Sequence, residues 1–311
     1  MINHLLISSQ NYFSNNPLDR LSPHRPNIDL DKVLQPESST LIVPIWQGKH
    51  LASTQEPARV VFLSVADAQP LVQKPEHLVF LGKRGGHDYF AIDIQEEDPT
   101  TNPFWQKLGT FESLRSLGKI ATLAEGAILG YAQAMVYWHK THQFCGRCGT
   151  ATKSDWAGHV RICQNPDCGR KHFPRTDPAI ITLITYQNQG LLVRQPQWEP
   201  KNRFSLVAGF VEPGESLEEA VQREVMEEAG LEISHVQYQS SQPWPFPGSI
   251  MLGFRAEATH QNFQLIDQEL EAARWFTRGE LKAAAASKEV LLSPKMSISR
   301  MLIDAWMKET E

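Results

Sequence analysis

The sequence contains no apolar run close to the roughly 20 residues that a bilayer-spanning helix needs. Residues 1–16 lack the charged start, the long apolar stretch and the small-residue cleavage site of a secretory signal. Residues 308–311 match no retention or lipidation signal. These absences argue against a membrane or secreted protein, and they predict a cytoplasmic location.

A surplus of positive charge is also missing. The 311 residues include 30 Lys and Arg against 35 Asp and Glu, which gives a net charge of -5 at pH 7. This balance argues against a protein that coats nucleic acid through a general basic field. We therefore expect no general DNA binding, although a local basic groove stays open. With 41% hydrophobic and 21% charged residues, the chain has the composition of a folded protein of about two domains.

Cysteine is scarce, and its placement is informative. All four cysteines lie within 24 residues, as the pairs Cys145/Cys148 and Cys163/Cys168. Two pairs of thiolates on tight turns can converge on one tetrahedral ion, and four cysteines are a ligand set of structural zinc sites. Two disulfides are the alternative, which the absence of a secretory signal disfavours. Because cysteine fills all four positions, we predict one structural zinc ion with no open position for a catalytic water.

Changes in composition divide the chain into three predicted parts: a β-rich N-terminal domain over residues 1–140, a zinc ribbon over 141–174 and a third domain over 175–311. The predicted strands are Leu41–Val43, Val60–Leu63, His77–Leu81, Tyr89–Ile94, Ala179–Tyr186, Leu191–Arg194, Ile250–Ala256 and Ala272–Phe276. The predicted helices are Leu123–Lys140, Leu217–Ala229, Arg278–Ala286 and Ser297–Lys308.

The helix predicted at Leu217–Ala229 concentrates negative charge. Glu224, Glu227 and Glu228 stand at i, i+3 and i+4, so a helix places all three carboxylates on one face. Divalent cations such as Mg²⁺ prefer carboxylate oxygens, waters and substrate phosphates as ligands. Spacing alone does not exclude a solvated acidic surface, because Glu-rich helices are common.

Other residues of this helix predict how it is held. Val221, Val225 and Ala229 occupy a second face that can anchor the helix to a sheet. Ser216 is a candidate N-cap, and Gly230 stands in the C-cap position. Arg223 can hold one of the neighbouring acids by a bidentate contact.

The pattern as a whole resembles the complete Nudix box. Gly209 is followed by five residues and Glu215, then by seven residues and Arg223-Glu224, and finally by Glu227-Glu228 and Gly230. The resemblance implies an α+β fold in which residues 175–311 are the catalytic Nudix hydrolase domain, an α/β/α sandwich with a mixed sheet. It also suggests that the β-rich domain over residues 1–140 is Nudix-like. It also implies hydrolysis of a nucleoside diphosphate linked to another moiety, with Mg²⁺ or Mn²⁺. The metal ligands that it implies are Glu224, Glu227, Glu228 and the backbone carbonyl of Ala208.

A proline-rich aromatic segment, which we call the strip, follows the box: Gln242, Pro243, Trp244, Pro245, Phe246, Pro247, Gly248 and Ser249. Its prolines stiffen an extended chain and hold aromatic rings in place at low entropic cost. Such a strip suits stacking on a nicotinamide or adenine ring, with hydrogen bonds from Gln242 and Ser249. Strips of this kind also occur as packing or protein-binding segments.

The strip resembles the signature of the NADH pyrophosphatase branch of the Nudix superfamily, with Gly248 where that branch often has Gln or Ser. The four-cysteine ribbon and Trp138-His139 before its first cysteine match the same branch. The resemblance implies cleavage of the pyrophosphate of NAD(H) to nicotinamide mononucleotide and AMP, and it extends to NAD caps on RNA 5′ ends. It also implies a homodimer in which each active site draws on both subunits.

The resemblance carries over further site residues. Glu269 matches the acid that completes the metal site, and Phe173 matches a substrate-stacking aromatic. Ser299 matches a small residue that lines the substrate pocket, whereas Asp155 and Arg115 match substrate contacts. One of Glu227, Glu228 or Glu269 is the implied general base.

Two other functions stay open at this point. The same chemistry could act on ADP-ribose or other dinucleotides. Alternatively, the chain could be a non-catalytic zinc-ribbon nucleic-acid binder, and the intact set of Glu residues argues against that function.

Overall fold

The computed structural model describes residues 3–68, 71, 77–95, 98–266 and 269–309. The chain divides into two compact units. The N-terminal unit comprises Asn15–Thr176 and Trp244–Gly248, and the C-terminal unit comprises Met1–Ser14, Asp177–Pro243 and Ser249–Glu311. Among the residues described, no helix has the length and apolar character needed to cross a membrane.

The N-terminal unit is built around a mixed sheet and one long helix. Up to residue 141 the elements are α1 (His4–Ser9, in the C-terminal unit), α2 (Leu30–Val33), β1 (Leu41–Trp46), β2 (Lys49–Ala52), β3 (Leu63–Ser64), β4 (Leu78–Arg84), β5 (His87–Asp93), α3 (Pro103–Leu108), β6 (Thr110–Ser113), α4 (Leu114–Leu117) and α5 (Leu123–Thr141). The strands follow the order β4-β5-β1-β2-β6, and β3 also pairs with β1. Strand β1 is parallel to β5 and antiparallel to β2 and β3.

The strand predicted at Val60–Leu63 is largely wrong. Only Leu63 belongs to β3, whereas Val60 forms an isolated bridge to Ala52 and the Val61 N–H donates to the Leu51 carbonyl. Val60 and Val61 pair with β2, whereas Leu63 pairs with β1, so residues 60–63 do not pair with a single strand over their whole length.

The ribbon belongs to the N-terminal unit and consists of three short antiparallel strands: β7 (Thr152–Asp155), β8 (Val160–Cys163) and β9 (Lys171–His172). It packs on β4, where His159 Nε2 lies 2.6 Å from the Phe80 carbonyl oxygen. Gly158 has φ of +92°, and a Cβ there would lie 2.8 Å from Val79 Cα, so only glycine fits this approach.

The C-terminal unit is a sheet with helices on both faces. Its remaining elements are β10 (Asp177–Tyr186), β11 (Gln189–Arg194), β12 (Arg203–Phe204), β13 (Val207–Phe210), α6 (Leu217–Ala229), β14 (Ile233–Trp244), β15 (Ser249–Ala258), β16 (Ala272–Thr277), α7 (Arg278–Ala286), β17 (Leu291–Leu292) and α8 (Ile298–Met307). The strand order is β14-β15-β10-β11-β16, with β13 also paired to β10. Because β10 is parallel to β15 and antiparallel to β11 and β13, the sheet is mixed, as predicted.

Alternate side chains of β10 enter two separate cores. Ile180 and Ile184 pack in the cluster that contains Val221 and Val225 of α6. Ile181 and Leu183 pack in the cluster that contains residues of α7 and α8. This alternation, which follows from the two-residue period of a strand, confirms the predicted α/β/α sandwich.

Helix α6 begins and ends where the sequence predicts. The Ser216 side chain accepts from the Glu219 N–H, the Glu219 carboxylate accepts from the Ser216 N–H, and Gly230 is left-handed with φ of +61°. These contacts satisfy terminal backbone groups that the helix itself leaves unpaired. Strand β14 was not predicted; its burial does not alternate cleanly, and His235 within it has a positive φ.

Candidate active site

The three adjacent carboxylates of α6 lie at different depths. Glu228 is 1% exposed and Glu224 is 9% exposed, whereas the Glu227 side chain is 54% exposed. Val221 and Val225 are fully buried on the sheet side, which confirms the predicted anchoring face. The helix therefore carries negative charge from the protein interior to its surface over about one turn.

Arg223 connects these acids with the loop before the helix. Its Nη1 donates to Glu224 Oε1 at 2.9 Å and to Glu227 Oε2 at 3.2 Å. Its Nε and Nη2 form a bidentate pair with Glu215, at 3.0 and 2.6 Å. The predicted bidentate partner was one of the neighbouring acids, but the structure assigns this geometry to Glu215, eight residues upstream.

Glu215 was quoted in the motif without a role, and its contacts supply one. Its carboxylate also accepts from the Glu212 N–H at 2.6 Å, and Arg223 Nη2 donates to the Phe210 carbonyl at 2.9 Å. The hydrogen bond to Arg223 is the main cause that lowers the pKa of Glu215. The same bond is the main cause that raises the pKa of Arg223. Charge pairing therefore fixes the loop between β13 and α6.

Gly209 on β13 lies directly against the Glu224 carboxylate. A Cβ at position 209 would overlap the Glu224 carboxylate. Gly209 pairs with Ile180 in the sheet, so its backbone cannot easily withdraw. The φ of Gly209 is not positive, so its backbone conformation does not require glycine. Glycine is needed here because it leaves room for the Glu224 carboxylate beside the strand.

The surroundings of Glu224 disfavour its ionised form. Burial raises the pKa of Glu224, and the negative charges of Glu227 and Glu269 raise it further, although Arg223 acts in the opposite direction. The repulsion from Glu269 brings that residue, predicted only through resemblance, into the electrostatic surroundings of α6. A carboxyl group with a raised pKa in a cluster of acids gains from a bound cation.

Two residues of β13 border the cluster. Ala208, the predicted carbonyl ligand, pairs with Ile181 and precedes Gly209. Phe210 is 60% exposed although it lies within the motif and its carbonyl is held by Arg223. The sequence reasoning missed Phe210, and the available signal was a large aromatic at a position that the sandwich does not bury.

The donor chemistry of this site fits a hard divalent cation. Glu224, Glu227 and Glu228 supply carboxylate groups within about one turn of α6, and hard cations take such oxygens together with water and phosphate. These assignments, with Glu269 and Ala208, stay predictions, because the resemblance supplies them.

The four cysteines form a cluster that could hold a metal ion. Their sulfur atoms lie within 4.8 Å of one another, with 3.9 Å between Cys145 and Cys168 and 3.4 Å between Cys148 and Cys163. Tetrahedral Zn–S bonds of about 2.3 Å require sulfurs about 3.8 Å apart, so the spacing fits zinc. All four are free cysteines, which excludes the two-disulfide alternative in this structure.

The surroundings shift the pKa values of Cys148 and Cys163 in opposite directions, and burial raises the pKa of Cys163 to about 12. Hydrogen bonds from the backbone and side chain of Thr150 lower the pKa of Cys148 to about 6. His172 Nε2 lies 3.3 Å from Cys145 Sγ, close enough to donate to a thiolate.

Gln242 of the strip is an anchor within the C-terminal unit. It is 1% exposed, and its Nε2 donates to the carbonyls of Tyr12 and Met296 at 3.0 and 2.8 Å. Its Oε1 accepts from the Ile298 N–H at 2.7 Å. Both amide hydrogens are therefore used within the protein, which does not fit the predicted hydrogen bond from Gln242 to a substrate ring. Ser249, at the start of β15, is also buried.

Pro243 belongs to the C-terminal unit, whereas Trp244–Gly248 of the strip belong to the N-terminal unit. The Arg115 guanidinium carbon lies 5.3 Å from the Trp244 ring centroid and 4.1 Å from that of Phe246, within the range of cation–π contacts. The two rings meet edge to face, with centroids 5.0 Å apart. Arg115, predicted as a substrate contact, thus lies on the aromatic rings of the strip.

Two other predicted contacts come together in the ribbon. Phe173 is 52% exposed, and its ring centroid lies 6.1 Å from that of Trp156. Asp155 accepts from the Trp156 N–H at 2.7 Å. Trp156 and Ala157 both have positive φ, a conformation that costs free energy in such residues and is common at functional sites.

Ser299 is buried among other serines of the C-terminal unit. Its hydroxyl lies 2.8 Å from that of Ser205 and 3.2 Å from that of Ser293. This position gives Ser299 a packing role, and its predicted place in a substrate pocket stays a prediction.

Three protein families match consecutive parts of the chain. Residues 39–138 match the NADH pyrophosphatase-like rudimentary NUDIX domain, and residues 140–173 match the NADH pyrophosphatase zinc ribbon domain. Residues 175–293 match the NUDIX domain.

Known proteins are similar to this chain over most of its length. An NAD-capped RNA hydrolase, NudC, of Mycobacterium bovis is 37% identical over 277 residues, which cover 84% of this chain and 87% of that protein. An NAD-capped RNA hydrolase, NUDT12, of Macaca fascicularis is 32% identical, with 96% of this chain and 74% of that protein covered. Nudix hydrolase 19, chloroplastic, of Arabidopsis thaliana is 36% identical; the match covers 82% of this chain and 64% of the plant protein.

The cysteine geometry predicts about one zinc ion per chain. Replacing one ligand, Cys148→Ser, should lower the zinc content well below this value and lower the melting temperature, because the ribbon loses the ion that holds its turns together. Elemental mass spectrometry and a thermal melt measure both effects. The control His172→Ala should retain its zinc, and a wild-type protein with no bound zinc would contradict the assignment.

The contact between Gly209 and Glu224 predicts that Gly209→Ala displaces this carboxylate. We expect Mn²⁺ to bind roughly tenfold more weakly, which corresponds to about 1.4 kcal/mol. Calorimetric titration of wild type and variant measures the change. Gly279→Ala is the matched control, because nothing lies within 4 Å of a Cβ added there. Equal Mn²⁺ affinity in both variants would show that the approach to Glu224 has no bearing on metal binding.

Proposed function

Because the chain belongs to the Nudix hydrolase family, in the branch that carries the NADH pyrophosphatase domains, we propose that it hydrolyses the pyrophosphate of NAD(H). Water attacks one phosphorus, the bridging P–O bond breaks, and the products are nicotinamide mononucleotide and AMP. The hydrolytic part of this proposal rests on the carboxylate cluster of α6. Arg223 donates hydrogen bonds to Glu224 and Glu227, and the Glu224 carboxylate packs against Gly209.

The carboxylates divide the work in this reaction. We assign Glu224, Glu227, Glu228 and Glu269, with the Ala208 carbonyl, to binding Mg²⁺ or Mn²⁺. When bound, these ions neutralise phosphate oxygens and lower the pKa of a coordinated water. One of Glu227, Glu228 or Glu269 accepts the proton of the attacking water. Arg223 keeps Glu224 and Glu227 in position through its hydrogen bonds.

Aromatic side chains are the proposed contacts for the bases. Phe210 supports this assignment through its exposure beside the cluster, and Phe173 through its exposure beside Trp156. Such faces stack on a nicotinamide or adenine ring. Asp155, Arg115 and the strip are assigned to the substrate on the resemblance, as are the homodimer with shared active sites and the cytoplasmic location.

A second substrate follows from the similar proteins that are named NAD-capped RNA hydrolases. We infer that the chain also removes NAD caps from RNA 5′ ends, since the bond cleaved is the same. ADP-ribose, which lacks the nicotinamide ring, is the competing substrate.

Products identified by mass test the proposed reaction. With Mg²⁺ or Mn²⁺, NADH should give reduced nicotinamide mononucleotide and AMP. Glu228→Gln should lower kcat at least about hundredfold, because a buried carboxylate of the metal and general-base cluster is lost. Glu218→Gln, on the exposed side of the first turn of the same helix, is the control and should retain activity. Near-normal turnover by Glu228→Gln would overturn the role of this residue.

Rates on free NADH and on NAD-capped RNA, measured at matched concentration, test the second substrate. We expect both to be cleaved, with RNA carrying a 5′-monophosphate as the second product of the capped substrate. A chain that cleaves NADH but leaves capped RNA intact would restrict the function to free dinucleotides. Preference for ADP-ribose over both would argue against recognition of nicotinamide.

A further inference from the structure

A chain of polar contacts runs through the N-terminal unit and ends on the strip. His50 Nε2 on β2 lies 3.1 Å from Gln133 Oε1 on α5. Gln133 Nε2 donates to the Pro245 carbonyl at 2.5 Å. His50 is 1% exposed and Pro245 is also buried. Neither His50 nor Gln133 is in any motif that predicted the site.

The contacts fix the donor and the acceptor of each hydrogen bond along this path. The Gln133 amide donates to a carbonyl, so its oxygen faces His50 and must accept the Nε2 hydrogen. His50 Nδ1 is buried without a hydrogen-bond partner, which is consistent with the tautomer that carries hydrogen on Nε2. Burial lowers the pKa of His50 to about 4, so the ring is neutral at pH 7. The arrangement is a single donor path from His50 through Gln133 to Pro245.

The path is specific because its two ends, His50 and Pro245, are buried and Gln133 between them is half-buried. A partly buried amide is more stable when both its ends are bonded, so the two contacts favour one orientation of Gln133. Pro245 lies between Trp244 and Phe246, and its backbone position sets where both rings project. Arg115 stacks on the two rings, so both contacts constrain the same few residues.

We propose that His50 and Gln133 are positioning residues for substrate binding: they hold the Pro245 carbonyl and thereby orient the rings of Trp244 and Phe246 toward a nucleotide base. This inference rests on the proposed function, because it takes the strip to be a base-binding segment. The proposed role requires no contact between His50 or Gln133 and the substrate.

Two substitutions of Gln133 separate the contacts. Gln133→Glu keeps an oxygen that accepts from His50 but places a carboxylate oxygen against the Pro245 carbonyl, so it disrupts only the contact with the strip. Gln133→Met removes both hydrogen bonds at similar volume. Gln143→Met, an exposed glutamine just beyond α5 in the same unit, is the control. His50→Gln offers an amide N–H in place of the imidazole and tests partial rescue.

The experiment measures kcat and KM of the full chain for NADH with Mn²⁺, together with the melting temperature. Misplaced rings weaken binding of ground state and transition state alike, so KM should rise about tenfold in both Gln133 variants while kcat stays within about threefold. His50→Gln should lie between wild type and Gln133→Met, and Gln143→Met should equal wild type.

Other results contradict the inference in distinguishable ways. A wild-type chain that does not hydrolyse NADH would remove the proposed function itself. Wild-type hydrolysis with an unchanged KM in Gln133→Glu would retain that function and overturn the positioning role. A lower melting temperature with reduced kcat and unchanged KM would mean that the polar path serves stability alone.

Discussion

Crowded negative charge on one face of α6 is the constraint on which the catalytic unit depends, because like charges one turn apart repel each other. Arg223 offsets this repulsion with one guanidinium that contacts Glu215, Glu224 and Glu227. The same side chain binds the Phe210 carbonyl, and Glu215 holds the Glu212 N–H. Arg223 therefore orders the loop before α6 and also offsets the repulsion among the acids of the helix. A neutral residue at 223 would remove both at once.

The two units contain sheets with the same strand order. Strands β4-β5-β1-β2-β6, with β3 on β1, correspond one by one to β14-β15-β10-β11-β16, with β13 on β10. The central strand is parallel to the same neighbour in each case. Between β3 and β4, however, residues 65–77 contain only Asp67 and Glu76 as acids. The N-terminal sheet thus keeps the architecture without the carboxylate cluster, and its elements β2 and α5 carry the polar path from His50 to Pro245 instead.

Local features of the site could be predicted, and features set by distant pairing could not. The caps of α6 at Ser216 and Gly230 depend on residues that are neighbours in sequence. The clustering of the cysteines is also local, so both features could be predicted from residue spacing. Strand β14 was missed because its pattern of burial follows from neighbours in the sheet. Glu215 was missed as the partner of Arg223 because a turn brings it back over eight residues. The related strand orders of the two units leave no repeat in the sequence, since pairing can be kept while side chains diverge.

The strip shows how a signature residue can serve structure first. Gln242 uses both amide hydrogens on carbonyls of its own unit, so recognition of a base does not come from this amide in the structure described. What the strip retains for a ligand is the aromatic character of Trp244 and Phe246, and stacking accepts many flat rings, whereas directed hydrogen bonds discriminate among them. Under the proposed function, selectivity for NAD(H) over other dinucleotides requires groups that bond to a particular edge or charge, and Arg115 is already stacked on the rings of the strip. In the proposed function, stacking on Trp244 and Phe246 would strengthen binding of a base, and directed contacts from other residues would select which base is bound.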